Sequence, residues 1–107
     1  MIPLNQTFND MITVHDTFVC KPGMASKLAS KLKEGTAGFP EFVQILTDAT
    51  GQFNRVVMIS EYENLAAYEK SLERYKVQSD EIKKMLEAMA GYQDMYMTGT
   101  RDIFQIW

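Results

Sequence analysis

The apolar positions of the chain run in two rhythms. Residues 11–20, MITVHDTFVC, are β-branched and aromatic and read as a strand. After Lys21-Pro22-Gly23 the spacing lengthens. Met24, Leu28 and Leu32 recur every fourth residue, with Ala25 and Ala29 beside them and Lys27, Ser30 and Lys31 on the outer face. This predicts a helix over 24–34. Pro22 suits its first turn, and the glycines at 35 and 38 are expected to stop it. FVQILT at 42–47 and the apolar run at 55–62 predict two more strands. The turn DATGQFN, with Gly51 at a positive φ, joins them as a hairpin. Leu65, Tyr68, Leu72 and Tyr75 then return to helical steps, and the phase continues through Ile82, Leu86 and Met89. Asn64 and Ser79 are capping residues, so two helices are expected, about 64–77 and 80–90. Gly91 ends the second. Residues 93–98 and 101–107 are strand-like, with Gly99 expected to mark a bulge or kink between them.

The resulting order, β-α-β-β-α-β, is the ferredoxin-like α+β arrangement. Residues 11–107 form one such domain, and 1–10 a loose lead-in. Right-handed crossovers put both helices on one face of a four-stranded antiparallel sheet. The other face should alternate apolar and polar if it meets water. Instead both parities are apolar: Val14 and Phe18 against Met11 and Val19, Phe42 and Leu46 against Val43 and Ile45, and Val56, Met58 and Tyr62 against Val57 and Ile59. A second apolar face on so small a chain predicts a homodimer that packs sheet against sheet.

Composition narrows the function classes. The chain has 107 residues, 23% charged and 46% hydrophobic, which suits one globular core. A net charge of −3 with interspersed signs supplies no basic patch, so no nucleic-acid partner is expected. The single cysteine, Cys20, cannot form an internal disulfide. MIPLNQTFND lacks the basic and apolar regions of a signal peptide. No apolar run approaches the roughly 18 residues of a membrane span. A cytoplasmic protein without a membrane partner is expected. The eight methionines suit irregular core gaps or an adaptable pocket. One His and one Cys are too few for a metal site, and no cofactor is expected. P-loop, GxGxxG, HExxH and G-x-S-x-G motifs are all missing from the sequence.

Three stretches carry a resemblance. TFVCKPGMASKLASKL resembles the first strand, Pro-Gly corner and first helix of NIPSNAP-like chains. ISEYENLAAYEKSLERY resembles the strand-to-helix segment found across the dimeric α/β-barrel superfamily, which includes the NIPSNAP-like proteins and the antibiotic-biosynthesis-type monooxygenases. YMTGTRDIFQIW resembles the final strand. The resemblance implies a homodimer whose two sheets form a barrel. It also implies a pocket between sheet and helices that takes a small apolar or aromatic molecule in the enzymatic members. Haem-degrading members carry an Asn, a Trp and a His where this chain has Asp16, Tyr62 and a helix without His. That chemistry is therefore not expected. Quinone-forming members often rely on Trp, Asn or His in the pocket, and the sole Trp here is Trp107.

Candidate chemistry centres on a few residues. His15 and Asp16 are neighbours on a strand, so they point to opposite faces and cannot form a dyad. His15 alone has an unperturbed pKa near neutrality. As a pocket base it could take a proton from a phenol or enol; a hydrogen-bonded core or interface His is the alternative. Asp16 is costly in mid-strand unless paired, with Arg55 or Arg101 as partner. Asp16, Phe18, Tyr62 and Tyr68 are expected to line a substrate pocket, the tyrosines overlapping with core. Glu61 and Glu63 flank Tyr62 where strand becomes helix, and read as a structural corner rather than a two-carboxylate acid/base site. Two functions follow. One is a cofactor-independent monooxygenase or isomerase; the other is a non-catalytic binding or dimerisation module.

Overall fold

The computed structural model describes residues 10–107. The lead-in expected over 1–10 lies, apart from Asp10, outside the described residues. The elements are β1 (Ile12–Cys20), α1 (Ala25–Thr36), β2 (Phe42–Thr47), β3 (Arg55–Tyr62), α2 (Leu65–Tyr75), α3 (Asp80–Ala88), a single 3-10 turn (Tyr92–Asp94) and β4 (Tyr96–Gln105). The strands form one antiparallel sheet in the order β2-β3-β1-β4. This is the ferredoxin-like α+β fold, with its second helix divided in two.

The caps behave as the sequence predicts. Asn64 Oδ1 accepts from the Ala67 amide at 2.8 Å and opens α2. Ser79 Oγ accepts from the Ile82 amide at 3.2 Å and opens α3, with Asp80 and Glu81 at the positive end of its dipole. Gly91, at φ 82°, reverses the chain after α3.

Other local signals resolve differently. Pro22 does not enter α1. It forms a turn with Gly23, at φ 79°, closed by the Met24 amide bonding to the Lys21 carbonyl at 3.0 Å. That is the Pro-Gly order of a type II turn. Nor does Gly35 stop α1, which runs on to Thr36. It is a close-approach position, since a Cβ there would collide with the Met89 side chain just past α3. Gly99 makes no kink either. It pairs with Phe18 inside an unbroken β4, and the irregularity falls where Val19 pairs with Thr98 and Cys20 with Tyr96, so that Met97 is the extra residue. In the hairpin, Asn54 joins Gly51 at positive φ.

Register assigns the faces. Ile12, Val14, Asp16 and Cys20 of β1 and Val56, Met58, Ser60 and Tyr62 of β3 are buried on the helix side. There α1 packs on β2, β3 and α3, while α2 packs on β3. The core is in two parts. The larger joins Cys20, Leu28, Leu32, Val56 and Met58, where each fully buried leucine is worth about 1.5–3 kcal/mol. The smaller joins Ile12, Val14 and Tyr62 beneath Ala67 and Tyr68 of α2. The uncovered face carries Leu46, Val57, Ile59 and Phe104 among Thr13, Thr17, Glu61 and Asp102. Val19 shares this face through its pairing with Arg55 and Thr98, so apolar and polar residues are mixed on it. A shift between Phe42 and Gln44 puts Ile45 with Phe42 on the helix side and leaves Leu46 on the open side. Trp107, past the end of β4, is 98% exposed.

Candidate functional site

Between the two parts of the core the helices stand off the sheet. A cavity of about 200 Å³ lies there, floored by Val14, Met58, Ser60 and Tyr62 and roofed by Tyr68, Leu72 and Tyr75 of α2 and Met85 of α3. A second lobe of about 310 Å³ adjoins it toward β4 and includes Phe18, Tyr96 and Gly99. Asp16, Met58, Met89, Tyr92 and Arg101 line both lobes and form the waist between them.

One polar cluster interrupts these largely apolar walls. Asp16 and Arg101 lie directly opposite each other on β1 and β4. Arg101 Nε donates to Asp16 Oδ1 at 2.5 Å, and Arg101 Nη1 donates to the Tyr68 hydroxyl at 3.0 Å. Asp16 is only 7% exposed, so this pairing offsets the desolvation of its carboxylate. The bond to Asp16 raises the Arg101 pKa above its ordinary value, and burial works against it. Arg101 is therefore a fixed positive charge. Its Nη2 group and Asp16 Oδ2 are not used within the cluster, so the pair keeps a donor and an acceptor in reserve. Burial, with Tyr96 nearby, pushes the Tyr92 phenol up, so Tyr92 is a neutral wall rather than a base.

A second cluster closes the rim. The Glu41 carboxylate, just before β2, accepts from Arg74 and, at 2.7 Å, from the Tyr75 hydroxyl. The Arg74 guanidinium lies 5.1 Å from the Phe39 ring centroid and 5.3 Å from that of Tyr75. Burial first, then the bond to Glu41, raises the Tyr75 pKa well beyond the usual phenol range.

Four of the residues singled out in the sequence meet around the cavity: Asp16, Phe18, Tyr62 and Tyr68. His15 does not join them. It stands on the uncovered face opposite Asp102 and Ile59, edge-on to Phe104 at 5.1 Å. Glu61 shares that open face through its pairing with Thr13, whereas Tyr62 is buried and edge-on to Tyr68 at 5.1 Å. The corner at 61–63 does not converge on a cleft. Cys20 is buried, and burial raises its pKa, which leaves it an unreactive thiol. Residues passed over in the sequence include Met58, Met85, Met89, Tyr92 and Tyr96. The high methionine count was the only signal for the three methionines, and nothing in the sequence singled out the two tyrosines. Among the described residues no group of three or more His, Cys, Asp or Glu could hold a metal ion, and no helix is long and apolar enough to cross a membrane.

No family model matches the chain, and no curated protein matches it in sequence. Solved structures do match. A NIPSNAP-like domain protein from Burkholderia xenovorans superposes with a TM-score of 0.72 at 14% identity, over 92% of this chain and 87% of its own. A NIPSNAP family protein from Agrobacterium tumefaciens gives 0.73 at 10% identity, over 92% and 88%. A mutant of SnoaB, a cofactor-independent oxygenase from Streptomyces nogalater, gives 0.61 at 18% identity, over 91% and 93%. The chain therefore has the fold common to NIPSNAP-like proteins and that oxygenase.

Proposed function

We propose that the protein is a dimeric α/β-barrel enzyme that takes a small, largely apolar or aromatic molecule between its sheet and helices and acts on it without a cofactor. The observation that carries this reading is the two-lobed cavity, mainly apolar in its inner lobe, that meets the Arg101–Asp16–Tyr68 cluster. Such a pocket, with few convergent polar groups, is the usual form of a small-molecule site. Arg101 and Tyr68 are placed to hold negative charge on a substrate oxygen. Asp16 is the carboxylate that can accept a proton there. In an oxygenation, dioxygen is the oxidant: one of its atoms replaces two substrate hydrogens and the other leaves as water. In an isomerisation, the proton returns at a second position. The likeness to SnoaB supports the first version. Dimerisation would bring the open faces together over Leu46, Val57, Ile59 and Phe104, with His15 at the interface rather than in the pocket.

A second reading, a binding module without catalysis, draws on one observation. The sole histidine lies away from the cavity, so no base with an ordinary pKa near neutrality lines it. Native mass spectrometry of freshly purified protein tests both parts of the proposal. A dimer carrying extra mass is the expected result, and Arg101→Met should keep the dimer and lose the extra mass. A monomer overturns the dimer. A retained compound that is unchanged after incubation under oxygen moves the assignment to the binding module.

A further inference from the structure

Ser60 is a buried hydroxyl that the fold does not use. It is 2% exposed, lies on the helix side of β3 and floors the inner lobe. Its backbone carbonyl accepts from Thr13 Oγ1 at 3.3 Å, but its own hydroxyl has no partner among the described residues. None of their side-chain oxygens or nitrogens is at once sealed from solvent and unpartnered. The Ser60 hydroxyl is therefore open, and in a residue so buried it opens into the cavity. Other hydroxyls around the lobe are engaged. Thr36 donates to the Leu32 carbonyl at 2.7 Å, Tyr75 donates to Glu41, and Tyr68 accepts from Arg101. Tyr62, the next residue on the same face of β3, is shared with a surface depression lined by Lys70 and Arg74.

The cross-strand neighbours of Ser60 are Val14 on β1 and Phe42 on β2. A water molecule beside it would find few of the polar partners that hold a buried water in place. A wholly apolar ligand would leave the hydroxyl unbonded in a dry site, at a cost. A ligand oxygen satisfies it. We infer that Ser60 is a specificity-determining position of the inner lobe, and that it donates to a neutral oxygen, a ketone or an alcohol, on the end of the ligand that enters there. This rests on the cavity being the ligand site, as proposed above. No charge stands beside Ser60 on the neighbouring strands to offset a carboxylate or a phosphate. At about 200 Å³ the lobe is smaller than the roughly 300–1,000 Å³ of a drug-sized site, so what enters it is one small ring or a short chain.

The test is an NMR titration of the isotope-labelled protein, following backbone amides, with cyclohexanone and with benzene as an oxygen-free molecule of similar size. Both should shift the amides of Met58, Ser60 and Met85 in the wild type. Ser60→Ala should weaken cyclohexanone about fivefold and leave benzene within twofold. Ser60→Cys, close in shape but a weaker donor, should weaken cyclohexanone about threefold, and it carries the test if the alanine variant fails to fold. Unchanged cyclohexanone affinity in these variants, equal losses for both compounds, or a wild type that binds benzene alone overturns the role of Ser60 and leaves the cavity reading intact. If neither compound shifts those amides in the wild type, the cavity reading falls and this inference with it.

Discussion

Asp16–Arg101–Tyr68 and Glu41–Arg74–Tyr75 are built from the same three kinds of side chain, and their exposures are nearly the same. Counted on side chains alone, the carboxylates are 10% and 12% exposed and the arginines 53% and 50%, so burial does not separate them. The hub does. In the first cluster the guanidinium is central and divides its donors between Asp16 and Tyr68. In the second the carboxylate is central: one Glu41 oxygen takes both Arg74 and Tyr75, while Arg74 rests against two rings. An arginine hub has five donors and retains some for a ligand. A carboxylate hub wrapped by its own donors is a clasp. The first cluster lies where the two lobes meet, and the second, whose Tyr75 also roofs the inner lobe, fastens α2 to the segment before β2.

The widest separation between the clusters is expected from Arg101→Met. It leaves the nearly buried Asp16 carboxylate unpaired. Breaking a fully buried pair costs about 3–5 kcal/mol; with Arg101 half in solvent, about 2 kcal/mol is expected here. Urea unfolding measures it. The double variant Asp16→Leu/Arg101→Met should recover most of the loss, because it removes the charge along with its partner. A double variant no more stable than the single would mean that Arg101 acts by packing.

Glu41→Gln should cost less, about 1 kcal/mol, since the amide retains one acceptor for Tyr75. It should leave the extra mass retained in native mass spectrometry in place. Loss of that mass would remove the distinction between clasp and site.

The smallest effect at neutral pH belongs to Tyr75→Phe, about 0.5–1 kcal/mol. Its signature is alkaline. The folded-state pKa of Tyr75 is raised, by burial first and then by Glu41. Its stabilisation is therefore fully present below the unfolded phenol value of about 10 and is lost as pH rises from there toward the folded value. Wild-type stability should fall above about pH 10, and the phenylalanine variant should fall less steeply by one proton. Equal slopes would place Tyr75 outside the clasp.

What the sequence revealed, and what it hid, follows the range of the interactions. Asn64 and Ser79 were legible because a cap bonds three residues along the chain. The hairpin was legible from its turn. The partner of Asp16 was not. Arg55 and Arg101 were both open, and the β1–β4 register chose Arg101 across 85 positions of sequence. Arg55 instead closes its own hairpin, its Nε donating to Asp48 Oδ2 at 3.0 Å. Gly35 looked like a stop signal because the neighbour that requires it, Met89, lies just past another helix. The cavity was foreshadowed by Asp16, the aromatic residues near it and the high methionine count. Its remaining walls, Met85, Met89 and Tyr92, come from a segment whose pattern read simply as amphipathic helix and turn. The side on which His15 stands depended on strand parity within the assembled sheet, and single-strand alternation leaves that sign free.

The position of Trp107 has a spectroscopic consequence. It is the chain's one indole and is 98% exposed in the protomer. Its emission should resemble that of indole in water whether the protomer is folded or unfolded. Intrinsic fluorescence is then nearly blind to unfolding, and a blue shift that grows with protein concentration would report a second molecule covering the indole.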